Sequence, residues 1–183
     1  MYHEMTIAGV TRQLPLCKVT DDLYIAAFIM FSDVEITKAA ASELLKKAPE
    51  FDIMITAESK GIPLTYEMAR QAGVNDYVVA RKGAKLYMTD IVSTQVDSIT
   101  TDHIQTLCIG GKEADQLRGK RVLIVDDVIS TGESLRSLET LVNQVGGNIV
   151  GRMAVLAEGE AADREDIIYL EKLPVFNPDG SIK

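Results

Sequence analysis

Two adjacent acids, Asp126 and Asp127, end an apolar run and lead at once into a Ser-Thr-Gly turn, in the stretch RVLIVDDVISTGESL (121–135). Each residue type at that spacing has its own chemistry. Paired carboxylates accept hydrogen bonds from hydroxyls. Ser130, Thr131 and Ser134 add hydroxyl donors, and Gly132 lets the backbone approach a ligand closely. A helical pattern begins at Glu133 or Ser134. A helix start offers unpaired N–H groups and the positive end of the dipole, which together make a cradle for phosphate. A phosphate placed on the acids themselves would be repelled. A sugar phosphate satisfies both halves, with vicinal hydroxyls on Asp126 and Asp127 and its phosphate on the turn.

Three other readings compete for the same residues. An apolar strand ending in Asp-Asp resembles the magnesium strand of P-loop ATPases, but those need an upstream G-x-x-x-x-G-K-[ST]. The candidates here, Gly111-Lys112 and Gly119-Lys120, lack the spacing and the Ser or Thr. VLIVDD also opens bacterial receiver domains, where about a full domain of chain follows it; here only the last third remains. The plainest alternative is that the two acids cap a turn.

The elements that must position these residues follow from periodicity. FDIMITA (51–57), DYVVA (76–80), RVLIVDD (121–127) and NIVGRMAVLA (148–157) are short, near-continuous apolar runs, the habit of parallel strands covered on both faces. Helical patterns lie between them. In 33–47, Ile36, Ala39, Ala40 and Leu44 share a face, Ser32 and Glu35 form a candidate capping box, and Pro49 ends the pattern. Residues 62–72 place Pro63 in a first turn and stop at Gly73; residues 133–145 put Leu135, Leu138, Leu141, Val142 and Val145 on one face before Gly146 and Gly147. Alternation of strand and helix predicts an α/β domain with a mostly parallel sheet, whose ligands sit beyond the carboxyl ends of its strands. Residues 81–110 break the alternation and predict one or two antiparallel strands around a long excursion, either functional or a surface hairpin.

Composition narrows the class. The chain has 183 residues, 46% hydrophobic and 25% charged, which fits one soluble globular domain. A net charge of −8 with no basic helix speaks against a nucleic-acid partner. No apolar run reaches the ~20 residues that span a bilayer, and the N-terminus lacks the pattern of a signal peptide. Two cysteines, Cys17 and Cys108, fit a reducing, cytoplasmic setting. With His3 and His103 the only histidines, a zinc site of ordinary spacing is not expected.

VLIVDDVISTGES resembles the 5-phosphoribosyl 1-pyrophosphate (PRPP) signature of type I phosphoribosyltransferases, and the resemblance extends from about Phe51 to Phe176, nearest the purine branch. It implies the type I fold: an α/β core over 36–169 with a mobile loop at 82–104, a hood from 1–35, and a closing segment at 170–183. It implies that Asp126 and Asp127 bind the ribose hydroxyls, and that the loop Val128, Ile129, Ser130, Thr131, Gly132, Glu133 and Ser134 holds the 5-phosphate; many members have Gly where Glu133 stands. AESKG (57–61) resembles the pyrophosphate loop of adenine phosphoribosyltransferases, giving Ser59, Lys60 and Gly61 to PRPP. Arg81, Lys82 and Lys85 resemble the family's basic residues that take charge as pyrophosphate leaves. Magnesium is implied, held mainly through PRPP with Asp126 and Asp127 as candidate protein ligands, and so is a homodimer.

The resemblance leaves the base open. Enzymes for 6-oxopurines often carry a lysine after the strand that follows the signature. The corresponding stretch here, AVLAEGEAADRED (154–166), has none; a 6-aminopurine offers a donor and needs an acceptor instead, such as a backbone carbonyl, which favours adenine, and Glu158 in this stretch is a candidate to bind the base. Against this, the loop lacks the glutamate motif of adenine enzymes and offers only Asp90 and Asp97, which is closer to xanthine phosphoribosyltransferase and to purine-repressor relatives. Xanthine and hypoxanthine/guanine enzymes, and a PRPP sensor without turnover, therefore stay open. Phe28, Ile29, Met30 and Phe31 are candidates to line the base pocket, with ordinary hood core as their alternative. Val175 and Phe176 are expected near the base edge.

Overall fold

The computed structural model describes residues 1–96 and 105–183. The chain opens on three antiparallel strands, β1 (Tyr2–Ile7), β2 (Val10–Thr20) and β3 (Leu23–Ala26). Ala8 and Gly9 join the first two with φ of 50° and 79°, the left-handed pair whose twist suits a two-residue hairpin.

The helix α1 (Val34–Lys47) follows, and its cap differs from the expected Ser32–Glu35 box. Asp33 is the N-cap, its Oδ1 accepting from Ile36 N at 3.1 Å. Arg12 decides this: its guanidinium grips Asp33 at 2.7 and 3.1 Å and draws Glu35 outward at 2.7 Å. One arginine thus ties β2 to the start of α1.

Next come β4 (Ile53–Ala57), α2 (Gly61–Ala72) and β5 (Val78–Ala80). Gly73 ends α2 with φ 71°, the left-handed cap that glycine takes without strain. The irregular stretch resolves into an antiparallel pair, β6 (Val92–Val96) and β7 (Gln105–Ile109), followed by α3 (Gly111–Leu117). That helix is not legible in the sequence: seven residues are too few to show a period. Part of the 82–104 loop, including Asp97, lies outside the described residues. The chain continues through β8 (Arg121–Ile129), α4 (Glu133–Gln144), β9 (Asn148–Glu158), a short 3-10 turn (Gly159–Asp163), β10 (Ile168–Leu173) and β11 (Val175–Phe176).

The main sheet has the order β10-β9-β8-β4-β5, and all of its pairings are parallel. Successive side chains feed opposite cores, as a strand's two-residue period requires. Val122 and Ile124 pack with Leu135, Leu138 and Leu141 of α4 on one face, while Leu123 and Val125 join Ile36, Leu44 and Leu64 on the other. The second sheet, β1-β2-β3-β11, shares that second core through Ile7, Leu14 and Phe176.

This topology creates a crevice. From β4 the chain winds outward through α2 to β5, and later crosses back to β8, β9 and β10 on the other side. The strand order reverses between β4 and β8, which is where open parallel sheets bind ligands. β4 and β8 are in register only to Ile55↔Ile124, whereas β8 and β9 stay paired to Ile129↔Ala157. Asp126 and Asp127 therefore do not end their strand. They lie on the part of β8 that has lost β4 as a neighbour.

Candidate active site

Where β4 stops, the chain turns through Glu58, Ser59 and Lys60 into α2, and the Glu58–Ser59 peptide is cis. The first helical residue, Gly61, rests against β8. A Cβ there would collide with Thr56 Oγ1 and lie 3.4 Å from Asp126 Oδ1. The bare backbone is what brings the helix start this close to the acids.

Between this turn and the acids lies a cleft of about 380 Å³. Its floor carries Asp126 and Asp127, with Val128, Ser130 and Ser134 on one side and Ser59, Lys60 and Lys82 on the other. Glu158 and Leu173 join Ile25, Phe28 and Ile29 at its N-terminal-sheet end. A smaller cradle of about 40 Å³ adjoins Asp126 and is formed by Val128, Ile129, Ser130, Thr131, Gly132, Glu133 and Ser134. Gly132 has φ 79° and directly precedes α4, so the turn delivers the chain into the helix start through a conformation that glycine favours. The N-termini of both α2 and α4 thus open onto one crevice.

The acids are held asymmetrically. Asp127 is 3% exposed, and its Oδ2 lies 3.0 Å from Lys60 Nζ, off the axis of a good hydrogen bond. Asp126 Oδ1 accepts from the Asp127 backbone N–H at 2.9 Å. Burial, and next the neighbouring Asp127 charge, push the Asp126 carboxyl well above the ordinary carboxylate range. Glu58 goes the other way. The Lys82 backbone N–H donates to its Oε2 at 3.0 Å, and this bond leads in holding its pKa down, with the Arg81 and Lys85 charges adding to it. Glu158 is pushed up by burial, with Lys60 the charge that opposes the shift.

Not every residue expected at the site reaches the cleft. Arg81 turns away: its Nε lies 3.3 Å from Glu58 Oε2, its backbone bridges Cys108, and its side chain lines a separate depression with Tyr87 and Lys112. Lys85 does not line the cleft either; its backbone N–H meets Met88 Sδ at 3.3 Å. Met30 is fully buried in the core beneath α1 and α2, and Phe31 is 44% exposed outside the cleft. This leaves Phe28 and Ile29 as the apolar wall from that run. Phe176 is core, its ring 4.9 Å from that of His3, and neither it nor Val175 lines the cleft; Leu173 stands there instead. Asp90 has φ 50° and packs against Gly111, away from the acids.

Arg164, absent from the expected set, abuts the phosphate cradle. A Cβ on Gly132 would lie 3.0 Å from its Nη1. Its other two nitrogens grip Asp166 at 2.8 and 2.7 Å. Asp166 lies 3.9 Å from Arg152, which pairs with Glu139 on α4. No local pattern marks Arg164, because only the fold brings it to the turn.

A crevice of this kind, with a carboxylate pair and two helix starts around it, invites comparison with known proteins. A family model described as "Phosphoribosyl transferase domain" matches residues 32–176. The adenine phosphoribosyltransferase of Acetivibrio thermocellus is 31% identical over 166 residues, 80% of this chain and 84% of that one. The purine biosynthesis transcriptional repressor PurR of Bacillus subtilis is 32% identical over 114 residues, 62% of this chain but only 39% of the repressor. Among solved structures, the adenine phosphoribosyltransferase of Thermoanaerobacter pseudethanolicus superposes with a TM-score of 0.65 at 26% identity, over 78% of this chain and 84% of that one. That of Giardia lamblia, complexed with 9-deazaadenine, gives 0.66 at 20% identity over 94% and 93%. The signature, the reversal of strand order that exposes it, and a match over most of the length agree: the chain belongs to the phosphoribosyl transferase family.

Proposed function

We propose that this protein transfers the 5-phosphoribosyl group of PRPP to a purine base, adenine being favoured, and releases pyrophosphate. One observation carries the reading: Asp126, Asp127 and the phosphate-type cradle share a crevice with the Ser59–Lys60 turn, and Glu158 stands at its apolar end. In this reading Asp126 and Asp127 accept the two ribose hydroxyls, and the backbone N–H groups of 130–134 hold the 5-phosphate. Ser59, the α2 start at Gly61 and Lys82 face the pyrophosphate. The base lies against Phe28 and Ile29 with Glu158 at its edge.

The chemistry follows from that placement. A purine ring nitrogen attacks the anomeric carbon as the bond to pyrophosphate breaks, so negative charge grows on the leaving group while the ribose gains oxocarbenium character. Lys60 and Lys82 are placed to meet that charge, the electrostatic contribution that commonly dominates such steps. Arg81 and Lys85 belong to this set only if their side chains swing toward the cleft. Lys60 Nζ lies 3.0 Å from Asp127 Oδ2, and ribose hydroxyls bound at Asp127 would compete for the same oxygen.

Magnesium fits the donor set as an ion brought in by the substrate. Among the described residues no cluster of three or more protein ligands exists, and Asp126 and Asp127 supply two carboxylates. Mg²⁺ commonly keeps several waters and takes one or two carboxylates with phosphate oxygens. When bound, it neutralises pyrophosphate charge.

A homodimer and a cytoplasmic setting belong to the same reading. The described chain has no helix long and apolar enough to cross a membrane. An apolar groove between α1 and α2, about 400 Å³ with Val34 and Tyr66 exposed at its edge, supports association.

Purified protein incubated with PRPP, Mg²⁺ and each purine base in turn, with nucleotide and pyrophosphate measured, tests the enzyme. Formation of adenosine monophosphate and pyrophosphate from adenine is expected. The similarity to PurR favours a second reading, a PRPP sensor, and tight PRPP binding without turnover of any base would select it.

A further inference from the structure

The basic run after β5 carries three cations, and the fold places them differently. Lys82 lines the cleft, and among the described residues its ammonium has no carboxylate partner. Arg81 is paired away with Glu58, and Lys85 does not line the cleft. Glu58 makes this division. Its backbone N–H donates to Ala80 O at 2.8 Å, which carries the β4–β5 pairing one step past Ala57↔Ala80. Its side-chain Oε2 then accepts from the Lys82 backbone N–H at 3.0 Å. On the other side, Arg81 and Cys108 exchange backbone hydrogen bonds of 2.8 Å each. The chain therefore leaves β5 held by Glu58 on one flank and by β7 on the other. Glu58 also lines the cleft itself. A carboxylate beside a pyrophosphate site repels the ligand, so its place there calls for a compensating task.

We propose that Glu58 is a positioning residue for the leaving group: through the Lys82 backbone it aims the Lys82 ammonium at the pyrophosphate, and by its charge it keeps Arg81 out of the cleft. The inference rests on the transferase reading for what fills this end of the cleft, and it goes further in assigning the residue that sorts the cations there. The two tasks separate chemically. The bond from the Lys82 N–H needs an acceptor oxygen, which an amide also supplies. The hold on Arg81 needs charge, because its buried Nε lies 3.3 Å from Glu58 Oε2 and makes no hydrogen bond of good geometry among the described residues. Without the Glu58 side chain the Lys82 N–H loses its acceptor, and the chain after Arg81 loses its tie to the end of β4. A cation displaced by about 1 Å forfeits much of its effect on a developing charge.

The test compares wild type with Glu58→Gln and Glu58→Ala, each alone and combined with Lys82→Ala, and adds Arg81→Ala to Glu58→Gln. It measures calorimetric binding of pyrophosphate with Mg²⁺, and kcat and KM for PRPP and base, with melting temperatures as the check on folding. Glu58→Gln and Glu58→Ala both lack the charge, so the gap between them reports the bond to Lys82. Glu58→Ala is expected to bind pyrophosphate and turn over roughly 10-fold less well than Glu58→Gln, the size of one such hydrogen bond, with KM for the base unchanged. That gap should vanish when Lys82 is alanine. Glu58→Gln frees Arg81 and should bind pyrophosphate about threefold more tightly than wild type, as a partly exposed ion pair allows, and Arg81→Ala should remove the gain. Equal behaviour of the two Glu58 variants overturns the inference. A gap that persists in Lys82→Ala also overturns it, since Glu58 would then be merely structural. Glu58→Gln binding no tighter than wild type overturns the part that concerns Arg81. If wild type turns over no base but the Lys82-dependent gap appears in pyrophosphate binding, the transferase reading fails and this one stands. If wild type does not bind pyrophosphate, both fail.

Discussion

Asp126 is a buried carboxyl beside a second one, and its ionisation costs the fold stability. Its carboxyl sits in the crevice beside Asp127 with its pKa well above the ordinary range, chiefly through burial. A raised folded-state pKa means that the folded chain holds its proton more tightly than the unfolded chain does. The contribution to stability is therefore full below the ordinary carboxylate pKa and lost as pH rises through the raised value. Asp126→Asn removes the ionisation while keeping shape. Its melting temperature without ligand is expected to exceed that of wild type by roughly 2–4 °C near neutral pH, the shift that ~1 kcal/mol makes in a chain of this size. The gap should widen as pH is raised across that window and vanish in acid, where both side chains are neutral. The same variant should lose roughly 100-fold or more in PRPP affinity, because an amide accepts a ribose hydroxyl less well than a carboxylate. Calorimetry with and without PRPP checks both arms. A variant that is no more stable than wild type at about pH 8 would mean that Asp126 ionises at no cost to the fold.

At the scale of elements, the site depends on how closely α2 approaches β8. Gly61→Ala puts a methyl into Thr56 Oγ1, a buried hydroxyl without a hydrogen-bond partner among the described residues. Overpacking of this kind costs typically ~1–3 kcal/mol and should displace the Ser59–Lys60 turn. Thr56→Ala removes the obstructing oxygen, and the remaining neighbours of the new methyl, Asp126 Oδ1 and Cα, are at ordinary contact distances of 3.4 and 3.5 Å. The double variant should thus recover much of the stability and PRPP binding lost by the single one, a coupling that a double-mutant cycle measures. Additive losses would show that the glycine is needed for its backbone freedom instead. The phosphate turn is backed by a different device, the charge chain Glu139–Arg152–Asp166–Arg164 ending at Gly132. Arg164→Ala should raise KM for PRPP up to about fivefold, ~1 kcal/mol or less for a partly exposed charge, with KM for the base unchanged and the effect shrinking in high salt. Equal losses for both substrates would mark Arg164 as merely structural.

Across the whole molecule, what the sequence disclosed is what lies contiguous along it. Asp126 to Ser134 could be read because one strand, one turn and one helix start carry two chemistries in a row. The parallel strands could be read because burial on both faces leaves an unbroken apolar run, as in β4 and β8. Phe28 to Phe31 could not be sorted, because they lie in irregular chain before Ser32 at φ 69°, where no period says which side chain turns inward. Arg81 resembled a pyrophosphate contact until Glu58, supplied by the neighbouring strand end, claimed it. Arg164 and Leu173 join the site only through sheet order, which no local pattern encodes. The outer face of α1 and α2 was equally silent, since Val34 and Tyr66 lie off the apolar stripes of their helices and are 69% and 58% exposed. Apolar groups left in water around a groove favour association, and with the homodimer reading this face is where a second copy would bury them. Tyr66→Glu places a charge on that rim without touching the crevice, because Tyr66 lines the groove and not the cleft. In size-exclusion chromatography with light scattering the wild type is expected at twice the chain mass of 20.0 kDa and the variant at the chain mass itself. The melting temperature of the variant should become independent of concentration, since mass action no longer links folding to assembly. A Tyr66→Glu protein that remains dimeric would move the interface to another face, and a monomeric wild type would remove the homodimer from the reading.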